Sequence, residues 1–580
     1  MITVKNLSYS FPEKDLYNKI SFTLEDGQHC AFIGTSGTGK STLVNILMDS
    51  EEYLYDGKVE IDEDCRIGYV SQFSTLDKDQ DITVYEYLSQ EFVKLQSEIE
   101  EICKEMEAAT DFDELMERYQ KVLDAFSAVD GDNYENNITR SLNVANLGKL
   151  KALKVSKLSG GEFKLIQVIK EMLMAPNLII MDEPDVFLDF EHLNALMNLI
   201  NSHKGTMLVI THNRYLLNHC FDKILHLENK EIQEFDGNYI NYNFYLLQKK
   251  IEMQELAAAD TEEIERNKKI VDQLRKEATM FTSATRGRAL HARVSFLERL
   301  EARRIKEPFV EIKQPDIHLG AVEKREEESV VLKVEDYGVA FDELLLEHVN
   351  FELKSNEKVA LIGANGTGKT TLLRDIYKNQ KDSIQFSEDS RVVFLSQMQG
   401  EMLNESNTIY DEFFEAGFET RQAIEEHLKN YGFEDDVLYN RIGTMSGGEK
   451  NLLQLAKVAV SNANVLLLDE PTSHLDTYSQ IALEKAIEEY RGAVLMISHD
   501  FYTIANCMDY VLLIENKTIR KMSIRRFRQM IYAKHFDKDY LANEQKKKET
   551  ETKVSMALQQ RDFEKAKILC EDLEEIIKKL

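Results

Sequence analysis

Short apolar runs of three to five residues recur along the chain, and each stops on a residue of a particular kind. CAFI precedes Gly34, LIIM precedes Asp182 and LVI precedes Thr211 and His212; later VALI precedes Gly363, VLLL precedes Asp469 and LMI precedes Ser498 and His499. Runs of this length, bounded by turn or polar residues, predict strands buried in a parallel sheet. Segments with apolar positions at helical spacing follow them, so the pattern predicts an α/β architecture, and it occurs twice. No run approaches the 18 residues of a membrane span, which argues against a membrane domain.

Other stretches carry the 3.6-residue period without strands. In EFVKLQSEIEEICKEMEAATDFDELMERYQKVLDAF, Phe92, Leu95, Ile99 and Ile102 fall on one face, predicting a helical hairpin over about 90–130. From Gly237 a charged helix is expected to run to about residue 279, with a break at TSATRGR and a second helix to about Lys306 before Pro308 and Pro315. Ile264, Val271 and Leu274 in the first helix, and Leu290, Val294 and Leu297 in the second, predict an antiparallel α-hairpin. A further charged helical extension begins near residue 531. The domain reading is 1–240, a hairpin linker 241–325, a second α/β domain 326–530 and the extension 531–580.

Composition changes this picture in two places. The net charge of −31 argues against a surface that coats nucleic acid, so any such contact must be local. The hairpin is where it would be: residues 262–306 hold 12 Lys or Arg against 7 Asp or Glu, and 278–297 hold Arg286, Arg288, His291 and Arg293 with no acid. Six scattered cysteines without a CxxC pair predict buried, reduced thiols, and the first residues carry no secretory pattern; both favour a cytoplasmic protein.

The chemistry sits at the ends of the predicted strands. GTSGTGKS (Gly34, Thr35, Ser36, Gly37, Thr38, Gly39, Lys40, Ser41), followed by Thr42, fits the phosphate-binding pattern G-x-x-x-x-G-K-[ST]. GANGTGKT (Gly363, Ala364, Asn365, Gly366, Thr367, Gly368, Lys369, Thr370), followed by Thr371, repeats it. Backbone N–H groups of such a turn and the positive end of the next helix cradle phosphate oxygens. The lysines reach the β- and γ-phosphates, and Ser41 and Thr370 offer Mg²⁺ a hydroxyl. Gln72 and Gln397 each close a strand and can ligand Mg²⁺ or hold a water. Asp182 and Asp469 can complete the metal shell, Glu183 and Glu470 can polarise the attacking water, and His212 and His499 can contact the γ-phosphate. Phe11 lies 23 residues before Gly34 and Phe341 lies 22 before Gly363; each can stack on adenine or be a core residue at a strand end. LSGGE and MSGGE present Ser159, Gly160 and Gly161, and Ser446, Gly447 and Gly448, at helix starts.

Spacing compares the copies. The offset is 325 at the glutamines but 287 at the SGG serines, the aspartates and the histidines, so the first copy carries 38 extra residues between Gln72 and Ser159. The insertion is the predicted helical arm. One departure stands out: the second copy reads DEPTSHLD and the first DEPDVFLD, with Asp185 and Phe187 where Thr472 and His474 stand.

The ordered set, occurring twice, resembles the ATP-binding cassette ATPases. Two cassettes in one chain, an arm in the first and a basic helical hairpin between them are similar to the F subfamily, over residues 1 to about 530. The resemblance implies tandem P-loop NTPase domains that use ATP and Mg²⁺, act as a monomer and close head to tail. Each SGG turn would then face the other cassette's phosphate loop. It further implies binding near the exit-tRNA site of the ribosome, with the linker reaching large-subunit rRNA and peptidyl-tRNA at the peptidyl-transferase centre. Antibiotic protection is placed ahead of stalled-ribosome rescue on account of the DEPDVFLD departure. A transporter subunit or a DNA-repair ATPase fits less well, the latter for want of a zinc insertion.

Overall fold

The computed structural model describes the chain apart from residues 1, 12–13, 63–64, 73–80, 109–112, 187, 281–290, 298, 300–314, 321–328, 342–343, 397–399, 401 and 533–537. It divides into two compact units, Met1–Asn238 with Gln314–Ile531, and Tyr239–Lys313 with Tyr532–Leu580.

The first unit contains both α/β domains, each built on one plan. In the first, a six-stranded sheet runs Ile67–Val70, Leu178–Asp182, Thr206–Ile210, His29–Ile33, Lys223–Glu228, Glu231–Asp236. All neighbours are parallel except the last pair. In the second, Val392–Leu395, Val465–Asp469, Ala493–Ile497, Lys358–Ile362, Tyr510–Glu515 and Thr518–Ser523 take the same order. The apolar runs become strands because helices cover both faces: every residue of Leu178–Asp182, Thr206–Ile210, Val465–Asp469 and Ala493–Ile497 is buried. A three-stranded antiparallel sheet closes each core, Val4, Leu7, Ile20 and Phe22 packing with Phe32, Leu43 and Ile180 in the first domain. Val334, Tyr337 and Leu346 pack with Leu361, Leu372 and Leu467 in the second. The sites sit where the strand order places them, beyond the carboxyl ends of adjacent central strands.

The insertion in the first domain forms helices Val84–Ala108 and Asp113–Ala128. Phe92, Ile102, Val122 and Phe126 are buried, and Arg118 ties the two together through Glu105 at 3.3 Å and Glu98 at 3.7 Å. The thiols are mixed rather than all buried. Cys30, Cys220, Cys507 and Cys570 are inside, Cys65 is intermediate and Cys103 is exposed. Cys103 follows buried Ile102 by one position, about 100° round the helix, and so leaves the apolar face.

In the second unit the linker helix Tyr239–Met280 is 42 residues long, roughly 60 Å at 1.5 Å per residue. Residues 291–297 are also helical. The expected tip residues Phe281, Thr282 to Thr285, Arg286, Arg288 and Leu290 lie outside the described residues, as do Phe187 and Gln397. The extension forms helices Lys538–Gln559 and Phe563–Ile577. They share a core with the linker helix: Ile251, Val554, Ala557, Ala566 and Cys570 cluster together, and Lys567 bonds Glu255 at 2.7 Å. The low net hydrophobicity of both segments hid this pairing from a reading of either one alone.

Candidate nucleotide sites across the cassette interface

Each phosphate loop turns at a glycine whose backbone conformation other residues rarely adopt. Gly39 and Gly368 precede helices Lys40–Met48 and Lys369–Lys378 in the left-handed region, at φ 97° and 94°, which glycine adopts without steric cost. Thr38 Oγ1 donates to Thr35 O at 2.8 Å and Thr367 Oγ1 to Ala364 O at 2.9 Å, closing each loop. Lys40 and Lys369 are buried and fold over their loops. Lys40 Nζ donates to Gly34 O at 3.0 Å and Thr35 O at 2.9 Å, and Lys369 Nζ to Gly363 O at 2.8 Å and Ala364 O at 2.9 Å. Burial pulls both ammonium pKa values down, while the nearby carboxylates oppose it.

The acidic pairs arrive at the ends of the neighbouring strands. The Ser41 hydroxyl lies beside the Asp182 carboxylate and partly offsets its desolvation, and Thr370 Oγ1 donates to Asp469 Oδ1 at 3.3 Å. A hydroxyl beside a carboxylate, both hard oxygen donors at a phosphate cradle, is the partial shell that Mg²⁺ takes from a protein before phosphates and water complete it. The next residue turns sharply in both copies: Glu183 and Glu470 have φ 44° and 51°, sparsely populated for a residue with a Cβ. Their N–H groups donate to Ile210 O and Ile497 O, both at 2.9 Å, which holds the turn. His212 and His499 follow the adjacent strands, and burial pushes both imidazoles below their usual range, with Lys40 and Lys369 adding to it. Phe11 and Phe341 are 47% and 70% exposed, so neither belongs to the core.

The two domains meet head to tail. Ser36 N–H donates to Asp476 Oδ2 at 3.3 Å, and Asn365 N–H to Asp189 Oδ2 at 3.0 Å, so each phosphate loop bonds the aspartate ending the other domain's DEP loop. Ser159 and Ser446 cap helices Gly160–Leu173 and Gly447–Val460 in full capping boxes with Glu162 and Glu449, and these helix starts point across the interface. A Cβ on Gly448 would lie 2.5 Å from Ser36 Oγ and 2.6 Å from His474 O. We therefore expect Gly448→Ala to lower ATP turnover about tenfold, since misplacement of reacting groups by less than an ångström costs that much. Steady-state kinetics at saturating ATP check it. A cavity of about 620 Å³ joins Ser159, Gly160 and Gly161 to Asn365, Lys369, Thr370, Asp469, Glu470 and His499, and continues to Glu183 and His212.

The copies differ in the electrostatics of the DEP loop. Burial works against the charge of Glu183, but His474, His212 and Lys40 outweigh it and hold the carboxyl at about 2. Glu470 moves upward, through burial and the adjacent Asp469. Asp185 is raised to about 6 by burial and accepts from Thr211 Oγ1 at 2.6 Å, where the second domain has Thr472 with Ser498 at 3.3 Å.

Repeated strand, phosphate loop and helix, acidic strand ends and SGG turns facing across one interface define a twin-cassette P-loop ATPase. A family model described as "ABC transporter" matches residues 17–186 and 346–473, and the chain belongs to the ATP-binding cassette family, in its F subfamily. Over 87% of its length it is 30% identical to the "Uncharacterized ABC transporter ATP-binding protein YfmM" of Bacillus subtilis (strain 168), spanning 96% of that protein. It is also 30% identical to the "Energy-dependent translational throttle protein EttA" of Escherichia coli (strain K12), over 86% of this chain and 89% of that one. Among solved structures, the archaeal ribosome recycling factor aABCE1, in complex with ribosomal stalk protein aP1, shares the fold. Its TM-score is 0.56 at 18% identity, covering 91% of this chain and 92% of that chain. Among the described residues no helix is long and apolar enough to cross a membrane.

Reading by sequence passed over Asp189 and Asp476, although they lie at the common offset of 287 and that repetition could have marked them. It also missed Arg214, Lys164 and the partnership of His474. Those residues differ from their counterparts Phe501, Asn451 and Phe187, so a search for repeated residues discards them.

Proposed function

We propose that this ATPase is a ribosome-acting clamp that closes over two ATP–Mg²⁺ and reopens on hydrolysis. The supporting observation is the reciprocal seating of Ser36 on Asp476 and Asn365 on Asp189, with Gly448 beside Ser36 and Gly161 beside Asn365. In this reading Lys40 and Lys369 bind the β- and γ-phosphates, and Phe11 and Phe341 stack on adenine. Ser41, Gln72 and Asp182, and Thr370, Gln397 and Asp469, would hold Mg²⁺, which would supply charge neutralisation at the phosphates. Glu183 and Glu470 accept the water's proton, His212 and His499 report loss of the γ-phosphate, and the SGG turns bind that phosphate from the opposite side. The interface is complete with a triphosphate and incomplete without it.

The linker sets the target. A net positive hairpin on a chain of net charge −31 supports contact with ribosomal RNA near the exit-tRNA site, in the cytoplasm, with the tip directed at the peptidyl-transferase region. Control of translation is the outcome supported best, by the likeness to a translational throttle protein over most of both chains. Protection from antibiotics is the second reading, favoured by the DEPDVFLD departure in the first cassette.

Changing Arg286, Arg288 and Arg293 together to Ala is expected to leave ribosome-free ATPase activity near the parent value. Ribosome affinity should fall, with the slope of log affinity against log salt reduced by about 0.7–0.9 per lost phosphate contact. Co-sedimentation across a salt series measures both, and parental affinity and slope would refute the RNA contact. Drug-susceptibility profiling with and without the protein separates the two outcomes.

A further inference from the structure

His474 belongs to the second cassette but its ring works in the first site. Its Nδ1 lies 3.4 Å from Glu183 Oε2 and 3.4 Å from Gln72 Nε2, and Gln72 Nε2 itself donates to Glu183 Oε2 at 2.5 Å. The triangle is anchored from two sides. Asn451 Nδ2 donates to Pro471 O at 3.0 Å and Ser473 O at 2.8 Å, fixing the turn that carries His474 at φ 60°. Lys164, at the corresponding place in the first cassette, instead donates from Nζ to Ser71 O and, at 3.1 Å, to Gln72 O, fixing the segment that carries Gln72.

The second site has a different arrangement. Glu470 is held within its own cassette, its Oε1 3.5 Å from His499 Nε2 and its Oε2 accepting from His499 N–H at 3.3 Å. The sequence position 287 residues before His474 is Phe187, a hydrocarbon ring that offers no such hydrogen bond.

We propose that His474 is a positioning residue supplied in trans. It holds Glu183 against Gln72 only while the cassettes are closed, so hydrolysis in the first site depends on the interface turn of the second cassette. Glu470 is oriented in cis, and its site does not need that turn. The inference rests on the reading of Glu183 and Glu470 as the water-polarising groups. It makes the two sites unequal in a defined direction: both need the opposite SGG turn, but only at the first is the glutamate itself oriented by the other cassette.

The test uses the full chain with one site silenced at a time. With Glu470→Gln in place, His474→Phe is expected to lower kcat about tenfold or more while KM for ATP stays within about twofold, the mark of lost orientation rather than lost binding. His474→Gln, which retains a hydrogen-bonding amide, should recover most of that loss. With Glu183→Gln in place instead, both substitutions should leave kcat within about twofold. Equal losses in the two backgrounds would assign His474 a purely structural role and overturn the inference. An unchanged kcat in the Glu470→Gln background would do the same, as would a silent Glu470→Gln parent, because a first site oriented by closure needs no hydrolysis in the second. Parental turnover in the protein carrying both Glu183→Gln and Glu470→Gln is a separate failure, since it removes the glutamate reading itself.

Discussion

With Glu183 and Glu470 both changed to Gln, the protein is expected to bind ATP and close but to hydrolyse at least about a hundredfold more slowly. Glutamine keeps the size and hydrogen-bonding capacity of the side chain, so it preserves the turn that places residues 183 and 470 at φ 44° and 51°. What it loses is the carboxylate proposed to accept the water's proton, and general-base assistance is worth about 10²–10⁴ in rate. The pairs proposed to hold Mg²⁺, Ser41 with Asp182 and Thr370 with Asp469, are untouched, so nucleotide affinity should change little. Equilibrium ATP binding and single-turnover hydrolysis, measured on one preparation, check the two halves of the expectation. Undiminished hydrolysis would show that another group polarises the water.

Arg214→Met is expected to weaken closure by about 3 kcal/mol, because removing one member of a buried ion pair leaves the others uncompensated. Arg214 follows His212 of the first cassette by two positions and crosses to the second. Its Nη2 bonds Glu484 and, at 2.7 Å, Asp500, and its guanidinium lies over the Tyr502 ring at 5.0 Å from the centroid. All three charged side chains are at most 15% exposed. Methionine matches the length of the stem but not the charge, so Glu484 and Asp500 would either take up protons or pull water into the interface. Either response opens it. The ATP concentration needed for half-maximal closure, followed by fluorescence transfer between labels on the two cassettes, should rise by about two orders of magnitude. A parental value would mean that the carboxylates find other partners.

The counterpart of Arg214 shows why these features escaped a reading of the sequence. Position 501 is Phe, and Phe501 stacks on Phe527 at 5.7 Å, with Phe190 of the first cassette edge-on to Phe527. The same place is therefore taken by an ion pair network in one half of the interface and by an aromatic cluster in the other. Repetition exposed the phosphate loops, the DEP carboxylates and the SGG turns, because both copies must meet the same chemical demand. It concealed the places where the copies specialise. The strands were legible because a both-faces-buried strand needs an unbroken apolar run. The helical arm was legible because Phe92 and Ile102 keep the 3.6-residue period. The union of extension and linker was not: Ile251, Ala566 and Cys570 are few and widely separated among charged residues, and no local pattern says which two helices will share them.

That union also sets an order of assembly. Linker residue Ile251 completes its core with Val554, Ala557, Ala566 and Cys570, roughly 300 positions later in the chain. During synthesis the linker helix is made, and the entire second cassette after it, before its partner helices emerge. Ile251 lacks those four partners through that interval, and closing so long a loop carries an entropic cost that grows only slowly with length. A contact this distant in sequence forms late, so the second unit reaches its final form only after the last helix has left the ribosome. A chain cut short before residue 554 would retain every phosphate loop, DEP carboxylate and SGG turn, and would carry a linker helix without Val554, Ala557, Ala566 and Cys570 to cover Ile251.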